Sequence, residues 1–188
     1  ANDTLILKLF AAIDSNANVN HTFRVDAPLI TLSLAQSIDS LQNSFLHQIV
    51  ALKPQVLFSD FNFATRIDSL AQDSSNHLMH AFQINSRHKT CSLVSLNALL
   101  QGNFQPSDVS IFKFWHSTDN TFNPANDQLL SVCNYIDSSG SIEFLGINKA
   151  LQKNKLEHFF ISIDLNCSAQ VGNSLRISKL DSSYFKFD

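Results

Sequence analysis

The chain has 188 residues, of which 44% are hydrophobic and 15% charged, and its formal net charge is -3. This length fits one domain of sandwich size or one domain with an extension, and the hydrophobic content excludes disorder by composition. An isoelectric point near 6.1 gives no indication of the excess positive charge with which proteins bind nucleic acid or an anionic membrane. No apolar run approaches the roughly 20 residues that span a bilayer.

The N-terminal region, residues 1–74, is predicted to contain one helix. Apolar residues recur there at steps of three and four, as on one face of an amphipathic helix: Leu34, Ile38, Leu41, Phe45, Ile49 and Leu52. Ser33 is a suitable N-cap, and Pro54 ends the pattern. We therefore predict a helix at about 33–53, in a region that is either part of the same unit as the rest or a separate one.

After Pro54 the pattern changes to short apolar runs separated by polar turns. The predicted strands lie at 77–85, 90–99, 109–117, 129–136, 141–145, 157–165 and 174–180, with a last edge strand at 184–187. Short strands at regular spacing are typical of an all-β sandwich rather than a parallel α/β sheet. The predicted fold is mainly β: an antiparallel β-sandwich of jelly-roll or Ig-like type at 75–188, with one N-terminal amphipathic helix.

Two of these strands differ in their side-chain pattern. In 157–165, Phe159, Ile161 and Ile163 alternate with polar residues, which indicates one face on the core and one facing water or a partner. Only Phe160 interrupts that alternation. In the strand that ends with Trp115, bulky side chains point both ways, which predicts a central strand covered on both faces.

Spaced motifs run through the second part of the chain. The segment 106–115 has an acidic residue before a strand with a lysine and aromatics, and Ser117-Thr118 with Thr121-Phe122 suggests a hairpin. An aromatic strand ending in an aspartate, 159–164, leads to Ala169 and a Gly-Asn turn at 172–173. These features resemble the β-sandwich domain found beside BNR-repeat sialidases and in surface proteins of Bacteroidota, over about 77–187.

The resemblance covers roughly 60% of the chain, and several glycines common in such domains are missing. It implies a secreted or cell-surface module that acts in adhesion, and it carries over no catalytic residue. We therefore expect a non-catalytic module that binds a glycan or a protein. The alternative is a structural subunit of a larger secreted or filamentous assembly, which would bind copies of itself. The sequence starts at Ala1, without an initiator methionine, which fits either a processed secreted protein or a fragment.

The loop after the Trp115 strand is the candidate ligand site. Sugar recognition uses an aromatic platform with amide and carboxylate groups, and the loop region supplies these types: Trp115, Asp119, Asn120, Phe122 and Asn123. The alternative is a hairpin whose Asn and Asp side chains satisfy its own backbone, with Phe122 tucked into the core.

No enzyme motif is present in the sequence. It has no Gly-x-Ser-x-Gly elbow, no P-loop and no His-Glu-x-x-His. Three widely spaced cysteines exclude a disulfide framework and a CxxC metal knuckle. His77 and His80 would point to opposite faces of a strand, which argues against a shared metal. We expect no catalysis, no metal and no cofactor.

Overall fold

The computed structural model describes residues 12, 17, 22–24, 46–48, 55–60 and 69–188. The chain divides into two compact units, residues 1–52 and 53–188. In the first unit, β1 (Thr22–Arg24) pairs antiparallel with β2 (Leu46–Gln48), with Thr22 opposite Gln48. No helix in the described part of the chain is long and apolar enough to cross a membrane.

The predicted helix at 33–53 lies mostly outside the described residues. Within it, Leu46–Gln48 form a strand, so the helix prediction is wrong for these three residues. Apolar spacing reports only local periodicity. Here the backbone groups pair with a strand more than 20 residues earlier in the chain, a long-range contact that this spacing does not encode.

The second unit consists of ten strands and two short 3-10 turns among its described residues. In chain order the strands are β3 (Gln55–Asp60), β4 (His77–Arg87), β5 (Cys91–Gly102), β6 (Val109–Ser117), β7 (Gln128–Cys133), β8 (Ser141–Phe144), β9 (Lys149–Leu151), β10 (Leu156–Leu165), β11 (Leu175–Ile177) and β12 (Phe185–Phe187). The 3-10 turns are Pro106–Asp108 and Ser182–Tyr184.

Five of these strands form one antiparallel sheet in the order β3-β4-β10-β6-β7. Phe159 of β10 lies opposite Phe82 of β4 and His116 of β6. Because β3 pairs with β4, this sheet includes a strand N-terminal to residue 75, where the sequence predicted the start of the β domain. As predicted, the strand that carries Trp115 is an interior strand, with β10 on one side and β7 on the other.

The second sheet is built around the long strand β5. Leu96 of β5 pairs with Phe144 of β8 and with Phe185 of β12, so these two strands flank β5 on opposite sides. The strands β9 and β11 pair with the two ends of β5. All these pairings are antiparallel, which confirms the prediction of a mainly β fold with antiparallel sheets.

Both sheets contribute to one hydrophobic core. Phe82 from the first sheet is fully buried, and its ring lies 5.5 Å from that of Phe159 in the same sheet. It also lies 5.3 Å from the ring of Phe185 in the second sheet, and Phe114 meets Phe144 across the same layer at 5.4 Å. The apolar faces of the two sheets therefore cover each other.

Candidate functional site

Trp115 lies on the face of the first sheet that is turned away from this core. It lies opposite Phe160 of β10, which in turn lies opposite Ala81 of β4, and the three form a second, small apolar cluster. Phe122 lies over the cluster, with its ring 5.8 Å from Trp115 and 5.4 Å from Phe160. Only 7% of Trp115 is exposed, so its ring is a covered packing element and not an open platform.

The polar side chains of the predicted site bond to their own loop. An Asp119 carboxylate oxygen accepts the Thr121 N–H at 2.8 Å, and the Asn123 amide oxygen accepts the Ala125 N–H at 3.1 Å. Asn120 is exposed. This geometry matches the alternative of a hairpin that satisfies its own backbone, except that Phe122 covers the outer cluster and not the main core. A ligand role for Trp115, Asp119, Asn120, Phe122 and Asn123 stays a prediction.

A more open surface lies where β7 and β8 meet the segment between them. A groove of about 370 Å³ is lined there by residues of these strands, of β5 and of the 134–137 segment. We call it the Tyr135 groove. Tyr135 is 70% exposed, Leu145 61% and Val132 49%, and all three line it. Large apolar side chains are therefore concentrated around one concave surface.

The turn between β7 and β8 holds this surface in place. An Asp137 carboxylate oxygen accepts the backbone N–H groups of Ser139 and Ser141, both at 2.8 Å, and the Ser139 hydroxyl at 2.7 Å. These bonds lower the pKa of Asp137, and the bond from the Ser139 hydroxyl has the largest effect. The Cys133 thiol donates to the Tyr135 carbonyl at 3.0 Å, which fixes the chain just before the turn.

Tyr135 and Asn134 also line a second groove, of about 200 Å³. Val109, Ser110 and Phe112 of β6 contribute to that groove. The segment 134–135 is therefore a shared wall between two adjacent concave surfaces. Neither lining contains a lysine, an arginine or a histidine.

The sequence contained only a weak signal for this site. Tyr135 is one of two tyrosines, and it is the second-last residue of an uncharged stretch before an Asp-Ser-Ser-Gly turn at 137–140. That stretch was predicted as a strand, whereas the observed strand ends at Cys133 and leaves Tyr135 outside it. The groove itself arises because edges of the two sheets approach each other, as the bond from the Ser131 hydroxyl to the Leu145 carbonyl shows.

Among the described residues, a buried contact between two titratable side chains lies apart from these grooves, between β6 and β10. His116 Nε2 lies 2.7 Å from Glu157 Oε2, and Lys155 Nζ lies 3.2 Å from Oε1 of the same carboxylate. Burial lowers the pKa of His116 even though Glu157 raises it. Burial raises the pKa of Glu157, but the bonds from His116 and Lys155 outweigh this and leave it below its ordinary value. The pair is thus a neutral imidazole that donates to a carboxylate.

This buried pair has the chemistry of an acid–base dyad but not the access. His116 is 5% exposed and Glu157 1%, and neither lines the two grooves. The geometry fits a bond that joins β6 to β10 inside the core. Within the described residues there is no group of three or more His, Cys, Asp or Glu side chains that could hold a metal ion.

No family model matches the chain, and no curated protein matches it. The resemblance to the sialidase-associated domain therefore stays a prediction.

Proposed function

We propose that the protein is a non-catalytic β-sandwich module, of jelly-roll or Ig-like type, that is secreted or displayed at a cell surface and acts in adhesion by binding a partner at the Tyr135 groove. The observation that carries this proposal is the exposure of Tyr135 beside an open groove. The two antiparallel sheets with their shared core support the sandwich class.

Exposure of several large apolar side chains around one groove supports a binding role. Single exposed apolar residues are ordinary, but a cluster rimmed by polar groups is typical of an interaction site. Val132, Tyr135 and Leu145 form such a cluster, with Asn97 and Glu143 beside them. A partner that covers these side chains gains the hydrophobic stabilisation that the free protein lacks.

The carboxylates of the groove support a binding role over a catalytic one. A general acid needs a raised pKa, so that it carries a proton near neutral pH. Asp137 has the opposite environment, because three donors bond to one carboxylate oxygen and keep the group ionised. The groove thus offers a fixed turn and an aromatic ring, with Asp137 held in its ionised form.

A binding panel tests this function. Labelled protein is applied to a glycan array and to purified extracellular-matrix proteins, and Tyr135→Ala is compared with Val171→Ala. Val171 is 85% exposed and lies outside both grooves, so it is a control for surface truncation. We expect binding on at least one panel that Tyr135→Ala weakens by about tenfold, or about 1.4 kcal/mol, and the control leaves unchanged. Equal binding by Tyr135→Ala, or no binding on either panel, contradicts the proposal.

A second candidate function, a structural subunit, is favoured by the edge strand β7. Exposed edges pair with other chains unless charged residues, prolines or bulges block them. Within residues 55–60 and 69–188, the other outer strands of the two sheets are β3, β8, β9, β11 and β12. Each of them contains a charged residue, in that order Asp60, Glu143, Lys149, Arg176 and Lys186. β7 has none, and a bulge at Leu130 is its only interruption of pairing with β6.

Light scattering over a concentration series tests this second function. Leu129→Lys places a charge on β7, and Leu57→Lys is the matched control on β3 at the opposite edge; both leucines are exposed. If β7 joins copies of the chain, Leu129→Lys raises the concentration needed for self-association by about tenfold, and Leu57→Lys does not. A monomer at every concentration excludes the assembly function.

A further inference from the structure

We infer that the ligand of the Tyr135 groove is an uncharged carbohydrate that spans both grooves across the Tyr135 wall. This inference rests on the proposed function and names the chemical class of its ligand. It follows from the shape of the two grooves, their charge and the hydrogen-bonding groups that they leave unused.

The shape fits an elongated ligand rather than a single small group. The larger groove, at about 370 Å³, falls within the roughly 300–1,000 Å³ of ordinary small-ligand sites. The smaller one, at about 200 Å³, shares Asn134 and Tyr135 with it as lining residues. A ligand that crosses this wall contacts the tyrosine ring in the middle and fills one groove at each end.

The charge of the lining excludes acidic ligands. Phosphate, sulfate and carboxylate groups are bound by arginine, lysine or backbone N–H groups at helix ends, and no lysine, arginine or histidine lines either groove. Asp137 and Glu143 would repel an anion. The part of the ligand that enters the grooves therefore carries no anionic group.

Unused polar groups fit hydroxyls. Asn97 of β5 and Glu143 of β8 lie directly opposite each other in the sheet, so their side chains point to the same face, into the Tyr135 groove. Both residues are exposed, and neither side chain makes a hydrogen bond to another described residue. An amide that donates and accepts, beside a carboxylate that accepts, matches adjacent sugar hydroxyls.

The tyrosine supplies the remaining element of such a site. A sugar presents C–H groups on its ring face and hydroxyls at its edge, so it needs an apolar surface flanked by polar groups. The exposed ring of Tyr135 is that surface, and the Asn97–Glu143 pair provides polar groups in the same groove.

Calorimetric titration with oligosaccharides from an array tests the inference. Neutral oligosaccharides are compared with sialylated and sulfated ones, and the variants are Tyr135→Ala, Tyr135→Phe, Glu143→Ala and Val171→Ala. We expect neutral sugars to bind, Tyr135→Ala and Glu143→Ala each to weaken binding by about tenfold, and Tyr135→Phe and Val171→Ala to stay within about threefold. Affinity should change little with salt, because no ion pair forms.

The outcomes separate this inference from the proposed function. Binding only of acidic sugars, or neutral binding that survives both Tyr135→Ala and Glu143→Ala, overturns the inference. If no sugar binds but an extracellular-matrix protein does, with loss in Tyr135→Ala, the inference fails and the binding function stands. If neither panel binds, both fail. Thermal unfolding of every variant shows whether a loss of binding is a loss of fold.

Discussion

The Trp115 indole N–H donates a hydrogen bond of 2.8 Å to the Ser162 hydroxyl on the adjacent strand, on the face of the first sheet turned away from the core. Both side chains are buried, although neither belongs to the main core. The bond therefore ties together a second layer, which the loop around Phe122 covers. The bond to Ser162 explains why Trp115 has a structural role.

Removing the hydroxyl tests this layer. Ser162→Ala leaves the buried indole N–H without its acceptor, which costs about 1–3 kcal/mol of unfolding free energy. Urea unfolding followed by the fluorescence of Trp115, the only tryptophan, measures this change. Ser110→Ala, at an exposed position on β6, should be nearly neutral. Equal stability of the two variants would show that the bond contributes nothing.

Phe122 is expected to act as the cover of Trp115. Phe122→Ala should shift the tryptophan emission to the red and make it easier to quench with acrylamide, because the indole ring gains contact with water. The loss of stability should stay below about 3 kcal/mol, since Phe122 is only half-buried. Phe122→Leu keeps an apolar cover and should retain the original emission. Strong quenching of the unaltered protein would contradict this role.

Gly102 ends β5 in a conformation that a side chain cannot share. Its φ is +139°, and a Cβ at this position would lie 2.0 Å from the Ser174 carbonyl oxygen. Gly102→Ala should therefore destabilise the protein by clearly more than the roughly 1–2 kcal/mol that a positive φ alone costs, as thermal unfolding measures. Gly146→Ala is the control: its φ is +66° but its Cβ meets no atom within 4 Å. Gly146→Ala should lower the free energy of unfolding by only about 1–2 kcal/mol, the cost of a side chain at positive φ.

Stability should fall as the pH drops below the ordinary histidine pKa of 6.5. Burial lowers the pKa of His80 and of His116 in the folded protein, although Asp60 and Glu157 partly oppose it. Between the lowered pKa values and 6.5, the unfolded chain binds protons that the folded chain does not, so acid favours unfolding. Urea midpoints from about pH 8 to about pH 5 measure the slope.

Variants assign this slope to its source. His80→Gln keeps a group that can bond to Asp60 but cannot titrate, so it should flatten the dependence below pH 6.5. Ser110→Ala, at an exposed position and with no titratable group removed, should leave the slope as it was. A stability that is constant from pH 8 to pH 5 would contradict the assigned directions.

The strands were predictable because the alternation of apolar and polar residues can be read from neighbouring positions in the sequence. Period-two alternation placed Phe159, Ile161 and Ile163 on the core, and these residues are buried there. Even the exception, Phe160, has a reason in the structure: it belongs to the outer cluster with Trp115. Bulky residues on both faces of the Trp115 strand correctly indicated cover on both sides.

Contacts between distant segments were not predictable from these patterns. Glu157 lies on the core face of its strand. Its burial depends on a hydrogen bond with His116, 41 residues away in the chain, and no spacing rule connects the two residues. The Tyr135 groove depends on two sheet edges that meet through Ser131 and Leu145. The loop after Trp115 had suitable residue types for a ligand, but type alone did not show that Phe122 covers the tryptophan.

The most direct test is to map where a bound partner lies. Amide spectra of the labelled protein, titrated with an oligosaccharide or protein found on the binding panels, report the contact surface residue by residue. We predict shifts centred on Asn97, Asn134, Tyr135 and Glu143, which vanish in Tyr135→Ala. Shifts centred instead on Asn120 and its loop, with the groove residues unchanged, would contradict it.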